Sequence, residues 1–439
     1  MQQLMRKQPV KMSLNREDYC YMSTIDKALS YIDNGDVERG IDLLNSLKLN
    51  CTDDEKYRIA EIYFDLGFAD DAKVVLEELL LLYPNEGELL TFLADVLIDL
   101  NHEDEAIEVL NTVSKEDPAF PQALLLLADL YEMQGLEEVC EQKLLEAKSI
   151  LPNEPLIDFA LGEFYLSHGY FNKSLAYFIR LVENSETISG VNLNQRIAEA
   201  YSSSGEFEKS LQYYQAALEE NVDINLLFGY GFTAYQAENY QTAIKKLTDL
   251  KEMDPEYTSL YLYLAKSYEH EGATTKSLEV VKEGLAVDEY NKELYYYAGK
   301  LAISAGENTD AIQYLYEALA LDPEYVEVIH TLIELFMIEE NYDEVVNTIE
   351  EAKRYGLDDL QFAWQIAKAK SKLEKFSDAL KHYRLAYTFF NNDIAFLEEY
   401  GYFLVEEGLR DEAKTVFLQL LELDPANTEI ADMLLQMDY

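Results

Sequence analysis

The sequence predicts an all-α fold, a superhelical solenoid of about twelve helix-turn-helix units closed by one capping helix. Three observations predict it. Pro84, Pro118 and Pro152 stand 34 residues apart. Twelve residues before each lies a small residue, Ala72, Ala106 and Cys140, and twelve before those come Ala60, Ala94 and Ala128. Around them apolar residues recur at three and four, as in Ile59, Ile62, Tyr63 and Leu66, the period of a helix with one buried face. Gly67, Asn101 and Gly135 stand where each first helix stops, and the prolines where each second helix ends.

Period and residues together resemble the tetratricopeptide repeat (TPR) family. Its signature is a small residue at position 8, an aromatic at 11, Ala at 20, a large apolar residue at 24 and Pro at 32. In the repeat beginning at Asp53 these are Ala60, Tyr63, Ala72, Leu76 and Pro84. The family's Trp at position 4 is absent; the only tryptophan, Trp364, takes position 5 of its repeat, and Leu or Tyr serves at position 4 in several others. With repeats from end to end, the chain is similar to the acidic TPR-only proteins of low-GC Gram-positive bacteria.

In chain order, residues 1–20 read as a basic N-terminal tail and lead-in, with Arg6, Lys7, Lys11 and Arg16 and no acid before Glu17. A tail of that charge would fit an acidic groove and compete with ligands there. Repeats then begin at Tyr21, Asp53, Gly87, Pro121 and Pro155, a first sub-array over 21–188. They continue at Val191, Ile224, Thr258, Lys292, Val326, Leu360 and Ile394, a second sub-array over 189–427. Position 8 is Ala or Gly in eleven of the twelve, with Ile333 the exception. Paired helices approach closely there, and a larger side chain would force them apart. The spacing lengthens to 36 between Pro155 and Val191, which makes the polar stretch Ser185 to Gly190 the candidate hinge, or simply a longer loop. Residues 428–439, with Ile430, Met433, Leu434 and Met437 on one face, read as the cap over the last repeat.

Composition narrows the function classes. The 439 residues include 84 acidic and 35 basic, a formal charge of −49, with 49% hydrophobic residues to fill a core. Such a field repels nucleic-acid phosphates and anionic lipid and attracts basic proteins or peptides at low ionic strength. It also keeps a large helical surface in solution. Cys20, Cys51 and Cys140 are too few and scattered for a disulfide framework or a zinc site and read as core thiols of a reducing compartment. Neither a bilayer-spanning run nor a signal-peptide core is present, so the expected location is the cytoplasm, without membrane insertion.

Catalytic and metal chemistry finds little support. Gly229, Gly231 and Ala234 spell a GxGxxA string, but Gly231 falls at position 8 in mid-helix, where no dinucleotide can be cradled. Asp33, Gly35 and Asp36 lack the spacing and closing glutamate of a calcium loop. The five histidines lie in different repeats and form no HxxxH or HxH pair. No enzyme activity, cofactor or metal is expected.

The groove is more informative. By the resemblance, first helices line the concave face and positions 5 and 9 point into it together. Position 9 reads Glu61, Asp95, Asp129, Glu163 and Glu199, then Phe232, Lys266, Lys300, Glu334 and Lys368. Position 5 interleaves Tyr57, Phe159, Phe228, Tyr296, His330 and Trp364. The family's clamp for a C-terminal carboxylate, with Lys and Asn at set positions, is not reproduced, since position 9 carries no Asn. Lys368, Lys370, Lys372, Lys375, Lys381 and Arg384 form a basic cluster that would suit end-to-end self-association with the acidic stretch Val74 to Gln142. The expected function is a non-catalytic scaffold or adaptor that binds extended or basic protein segments in an acidic, aromatic-lined groove. A receptor for a small signalling peptide and a chaperone for basic or nascent clients are the alternatives.

Overall fold

A computed structural model describes residues 23–357, 360 and 362–437. The basic tail lies outside the described residues. The chain divides into two compact halves, up to Thr233 and from Ala234 on.

The N-terminal half contains six helix pairs. They are α1 (Thr24–Asp33) with α2 (Val37–Lys48), α3 (Asp53–Asp65) with α4 (Ala69–Leu80), and α5 (Gly87–Asp99) with α6 (Glu103–Leu110). Then come α7 (Phe120–Met133) with α8 (Glu137–Ile150), α9 (Pro155–Ser167) with α10 (Phe171–Glu183), and α11 (Leu193–Ser203) with α12 (Phe207–Glu220). The boundary between halves falls inside α13 (Ile224–Gln236), which is followed by α14 (Tyr240–Met253). The C-terminal half continues with α15 (Ser259–His270), α16 (Thr274–Val287), α17 (Lys292–Ala305) and α18 (Asn308–Leu321). It ends with α19 (Val326–Ile338), α20 (Tyr342–Arg354), α21 (Phe362–Lys372), α22 (Phe376–Phe390), α23 (Ile394–Glu406), α24 (Arg410–Leu423) and α25 (Thr428–Met437).

The repeat register is written in the backbone. Position 15 of every repeat has a positive φ: Gly35, Gly67, Asn101, Gly135, Gly169, Gly205, Glu238, Gly272, Gly306, Glu340, Glu374 and Gly408. The left-handed residue turns the chain from first helix to second, and its N–H reaches back to the first helix, as Gly67 N–H does to the Phe64 carbonyl at 3.0 Å. Helix starts are fixed by side chains as well. Ser23 with Asp26 and Thr52 with Glu55 form capping boxes at α1 and α3.

Position 8 sets how closely each pair packs. A Cβ built on Gly162 would overlap the Phe178 ring, and one on Gly401 would overlap Phe417; both rings are at position 24. A glycine is therefore matched to a large partner across the pair. At two of the three position-20 serines the hydroxyl donates to the carbonyl at position 8, Ser210 Oγ to Ala198 at 2.7 Å and Ser277 Oγ to Ala265 at 2.8 Å, whereas the buried Ser174 hydroxyl makes no such bond. Ile333, the one large position-8 residue, is buried between α19 and α20, so that pair forms with β-branched packing instead.

Tyrosine hydroxyls link repeats to carboxylates. Across repeat boundaries Tyr165 donates to Glu141 at 2.6 Å, Tyr297 to Glu269 at 2.6 Å and Tyr402 to Glu429 at 2.9 Å, and within one repeat Tyr83 donates to Asp53 at 2.8 Å. The stretch before α11 turns through Ser185 (φ 57°) and Gly190 (φ 75°), and Asn192 then caps α11 by accepting from Gln195 N–H. At the far end α25 buries Ile430 and packs Met433, Leu434 and Met437 on the last repeat, as the sequence predicts.

Candidate functional site

In the N-terminal half, position-9 acids of neighbouring first helices come together in two places, Glu61 with Asp95 around Tyr57 and Glu163 with Glu199 around Arg196. Tyr57, at position 5 of α3, packs edge-on against Phe92 at 5.6 Å and donates its hydroxyl to Glu88 at 3.3 Å. Burial, then the charges of Glu88, Glu61 and Asp95, raise its pKa, so one phenol has position-9 acids of α3 and α5 beside it. Asp129 on α7 is half-buried. Burial, reinforced by Glu132, pushes its carboxyl up to about 6, and no described cation lies within 4.0 Å of it.

Glu163 on α9 and Glu199 on α11 share one arginine. Arg196 Nε lies 3.2 Å from Glu163 Oε1, and its Nη1 lies 2.8 Å from Glu199 Oε2. Burial works against the Arg196 charge, but the two glutamates outweigh it and raise its pKa. Glu163 Oε1 makes no aligned hydrogen bond, so burial prevails there over the Arg196 attraction and raises its pKa. Two of the five acids are thus bridged by a residue at position 6 that sequence reasoning missed. Asp158 was missed as well; buried at position 4, it pairs with Lys148 and, at 2.5 Å, with Arg180.

Phe159 corrects the expected set of groove anchors. It is 1% exposed and packs on Phe178 at 5.9 Å, inside its repeat. Gly162 has no side chain to hold the Phe178 ring back, and Phe159 fills the space beside it. Phe228 remains partly exposed and stacks with Phe232 at 6.1 Å, both on α13.

In the C-terminal half, Lys266 on α15 stands over Tyr263 and Tyr297 at 5.7 and 5.8 Å, and Lys300 on α17 over Tyr296 at 5.7 Å. Trp364 and Lys368 on α21 are drawn into a knot around Glu399. The indole donates to Glu399 Oε1 at 3.0 Å, Lys368 reaches Oε2 at 3.2 Å, and the Tyr383 hydroxyl donates at 2.8 Å. Trp364 also sits edge-on to Phe390 and Phe396, each at 5.4 Å, so it is only partly open to a ligand. The basic cluster from Lys368 to Arg384 is largely met by its own acids: Lys375 by Asp343, Lys381 by Asp378, Arg384 by Glu412. His382 within it is held neutral, at about 4, by burial and by Lys370 and Lys353.

Among the described residues no three His, Cys, Asp or Glu side chains gather as a metal would require, and no helix is long and apolar enough to cross a membrane.

Comparison with known proteins agrees with this architecture. Family profiles match residues 132–186, described as YpiA-like tetratricopeptide repeats, and 361–427, described as YpiA-like C-terminal tetratricopeptide repeats. General tetratricopeptide repeat profiles match 63–130, 191–221 and 302–370. The TPR repeat-containing protein YpiA of Bacillus subtilis (strain 168) is 46% identical over 414 residues, covering 94% of this chain and 98% of that one. Among solved structures, the C-terminal part of a TPR repeat-containing protein from Cytophaga hutchinsonii matches 54% of this chain and 97% of its own, with 18% identity and a TM-score of 0.46. YrrB, described as a TPR protein with an unusual peptide-binding site, matches 43% of this chain and 96% of its own, with 15% identity and a TM-score of 0.37. The chain belongs to the YpiA-like family of tetratricopeptide repeat proteins.

Proposed function

We propose that this protein is a non-catalytic adaptor whose N-terminal half holds an extended, basic segment of a protein partner along the position-9 acids. TPR proteins are in general protein-interaction scaffolds, and that coarser role is common to the family. The observation that carries the finer reading is Asp129. A half-buried carboxylate pushed up to about 6 by burial, beside Glu132 and without a described cation, is a site that a lysine or arginine would relieve. Glu61 and Asp95 extend it on one side, with Tyr57 to pack against the aliphatic stem of the incoming side chain. The buried Cys140 thiol, pushed up to about 12 by burial, is unreactive and suits a cytoplasmic protein.

The test is titration of fluorescent hexalysine into the full chain and into Asp95→Lys/Asp129→Lys over a range of salt. Loss of affinity with a shallower salt slope in the variant supports the reading; identical curves overturn it. Affinity capture washed at low and then raised salt distinguishes adaptor from chaperone. An adaptor retains one or two proteins in fixed proportion, whereas a chaperone loses many basic clients together.

A further inference from the structure

Lys266 and Lys300 occupy the same register of successive first helices, α15 and α17, which pack side by side. Several lysines of this half meet carboxylates: Lys251 meets Glu283 at 2.5 Å, Lys292 meets Asp322 at 2.6 Å and Lys368 meets Glu399 at 3.2 Å. No described carboxylate lies within 4.0 Å of the Lys266 or Lys300 ammonium, which is also true of Lys245, Lys276, Lys282 and Lys372, but among these Lys266 alone is half-buried.

Their surroundings are aromatic. Tyr263 and Tyr297 face Lys266, and Tyr296 faces Lys300. Glu269 is the carboxylate that acts on Lys266, and it already accepts the Tyr297 hydroxyl at 2.6 Å. Burial lowers the Lys266 pKa and Lys300 lowers it further. Lys266 is thus a half-buried ammonium in the field of a second one, and an oxyanion between the two would relieve it.

We propose that Lys266 and Lys300 form a receiving pair for a carboxylate side chain on an acidic segment of a protein partner. Tyr263 and Tyr296 would flank the aliphatic part of that side chain. A side chain on a segment fits better than a free anion because the pair stands in the open register along the helices, with rings on both lysines to contact carbon. This rests on position 9 being the binding face, but the ligand has the opposite sign to that of the acids around Asp129.

The test uses the full chain and fluorescent hexaglutamate, acetylated and amidated so that it has no free terminus, at about 0.15 M salt, where repulsion beyond about 8 Å is screened. Saturable binding is expected, weakened at least about tenfold in Lys266→Gln/Lys300→Gln, with the melting temperature of that variant equal to or above that of the unchanged protein. Lys300→Glu supplies an internal partner for Lys266; it should raise the melting temperature and abolish binding. Equal hexaglutamate affinity in the unchanged chain and the double variant overturns the proposal, as does no binding at all. Displacement of hexaglutamate by millimolar inorganic phosphate would reassign the pair to a free anion and overturn it as well. Because hexalysine reports on Asp95 and Asp129 and hexaglutamate on the lysines, the two readings fail separately.

Discussion

The same helical register carries five acids in the N-terminal half and three lysines, with Glu334 among them, in the C-terminal half. Position 9 presents Asp129 in the N-terminal half with no described cation beside it, and Lys266 and Lys300 in the C-terminal half with no described carboxylate. At three other position-9 residues the charge is met: Arg196 bridges Glu163 and Glu199, and Glu399 collects Lys368 together with Trp364 and Tyr383. Composition alone would have spread the negative field evenly. On the proposed reading, what the protein offers a partner is set by the charges that the described residues leave without a close counter-ion.

The largest expected effect tests that contrast directly. Asp95→Lys/Asp129→Lys should weaken hexalysine binding by about ten- to a hundredfold, roughly 1.4–2.7 kcal/mol, measured by fluorescence anisotropy. Packing provides a comparison that ignores charge. Gly162→Ala in the N-terminal half and Gly401→Ala in the C-terminal half each force a methyl into a phenylalanine ring. Each should destabilise its own half by about 1–3 kcal/mol in denaturant unfolding, and Gly162→Ala/Phe178→Leu should recover part of the loss.

Asp129→Asn is next. A carboxyl raised from 3.8 to about 6 by folding holds its proton more tightly in the native state than in the unfolded one. Stability therefore falls as pH rises through that window, and removing the charge should stabilise the free protein at pH 7 by up to about 2 kcal/mol. The same variant should flatten the gain in hexalysine affinity between pH 5 and pH 7, a gain that arises because only the ionised carboxylate attracts the cation.

The smallest effect concerns the turns. Three of the four non-glycine residues at position 15, Glu238, Glu340 and Glu374, lie in the C-terminal half, and only Asn101 lies in the other. Left-handed backbone disfavours a side chain by about 1–2 kcal/mol, and the flexibility of glycine returns about half of that. Glu340→Gly should thus stabilise by about 0.5–1 kcal/mol, whereas Gly67→Ala should destabilise. Equal thermal shifts in both would contradict the strain.

Much of this was legible in the sequence. Position-8 and position-20 residues gave the register because close helix approach admits few side chains there, and the helices begin within a few residues of the expected places. The glutamates in turns were not legible, since turn propensity is weak against a register imposed by packing on both sides. Within the site, adjacency of position-9 acids follows from periodicity alone. That Arg196 swings between two of them depends on rotamers of three long side chains, and that Phe159 turns inward depends on a glycine three residues away. Neither has a sequence period.

The tyrosine links between repeats have a further consequence. A hydroxyl that donates across a repeat boundary to Glu141, Glu269 or Glu429 fixes the carboxylate in place without neutralising it. The scaffold is thereby a stationary phase: rigid framework, immobilised negative groups, mobile counterions. Its physical behaviour should be that of a cation exchanger, in which a basic segment elutes the bound sodium or potassium and is itself eluted by salt.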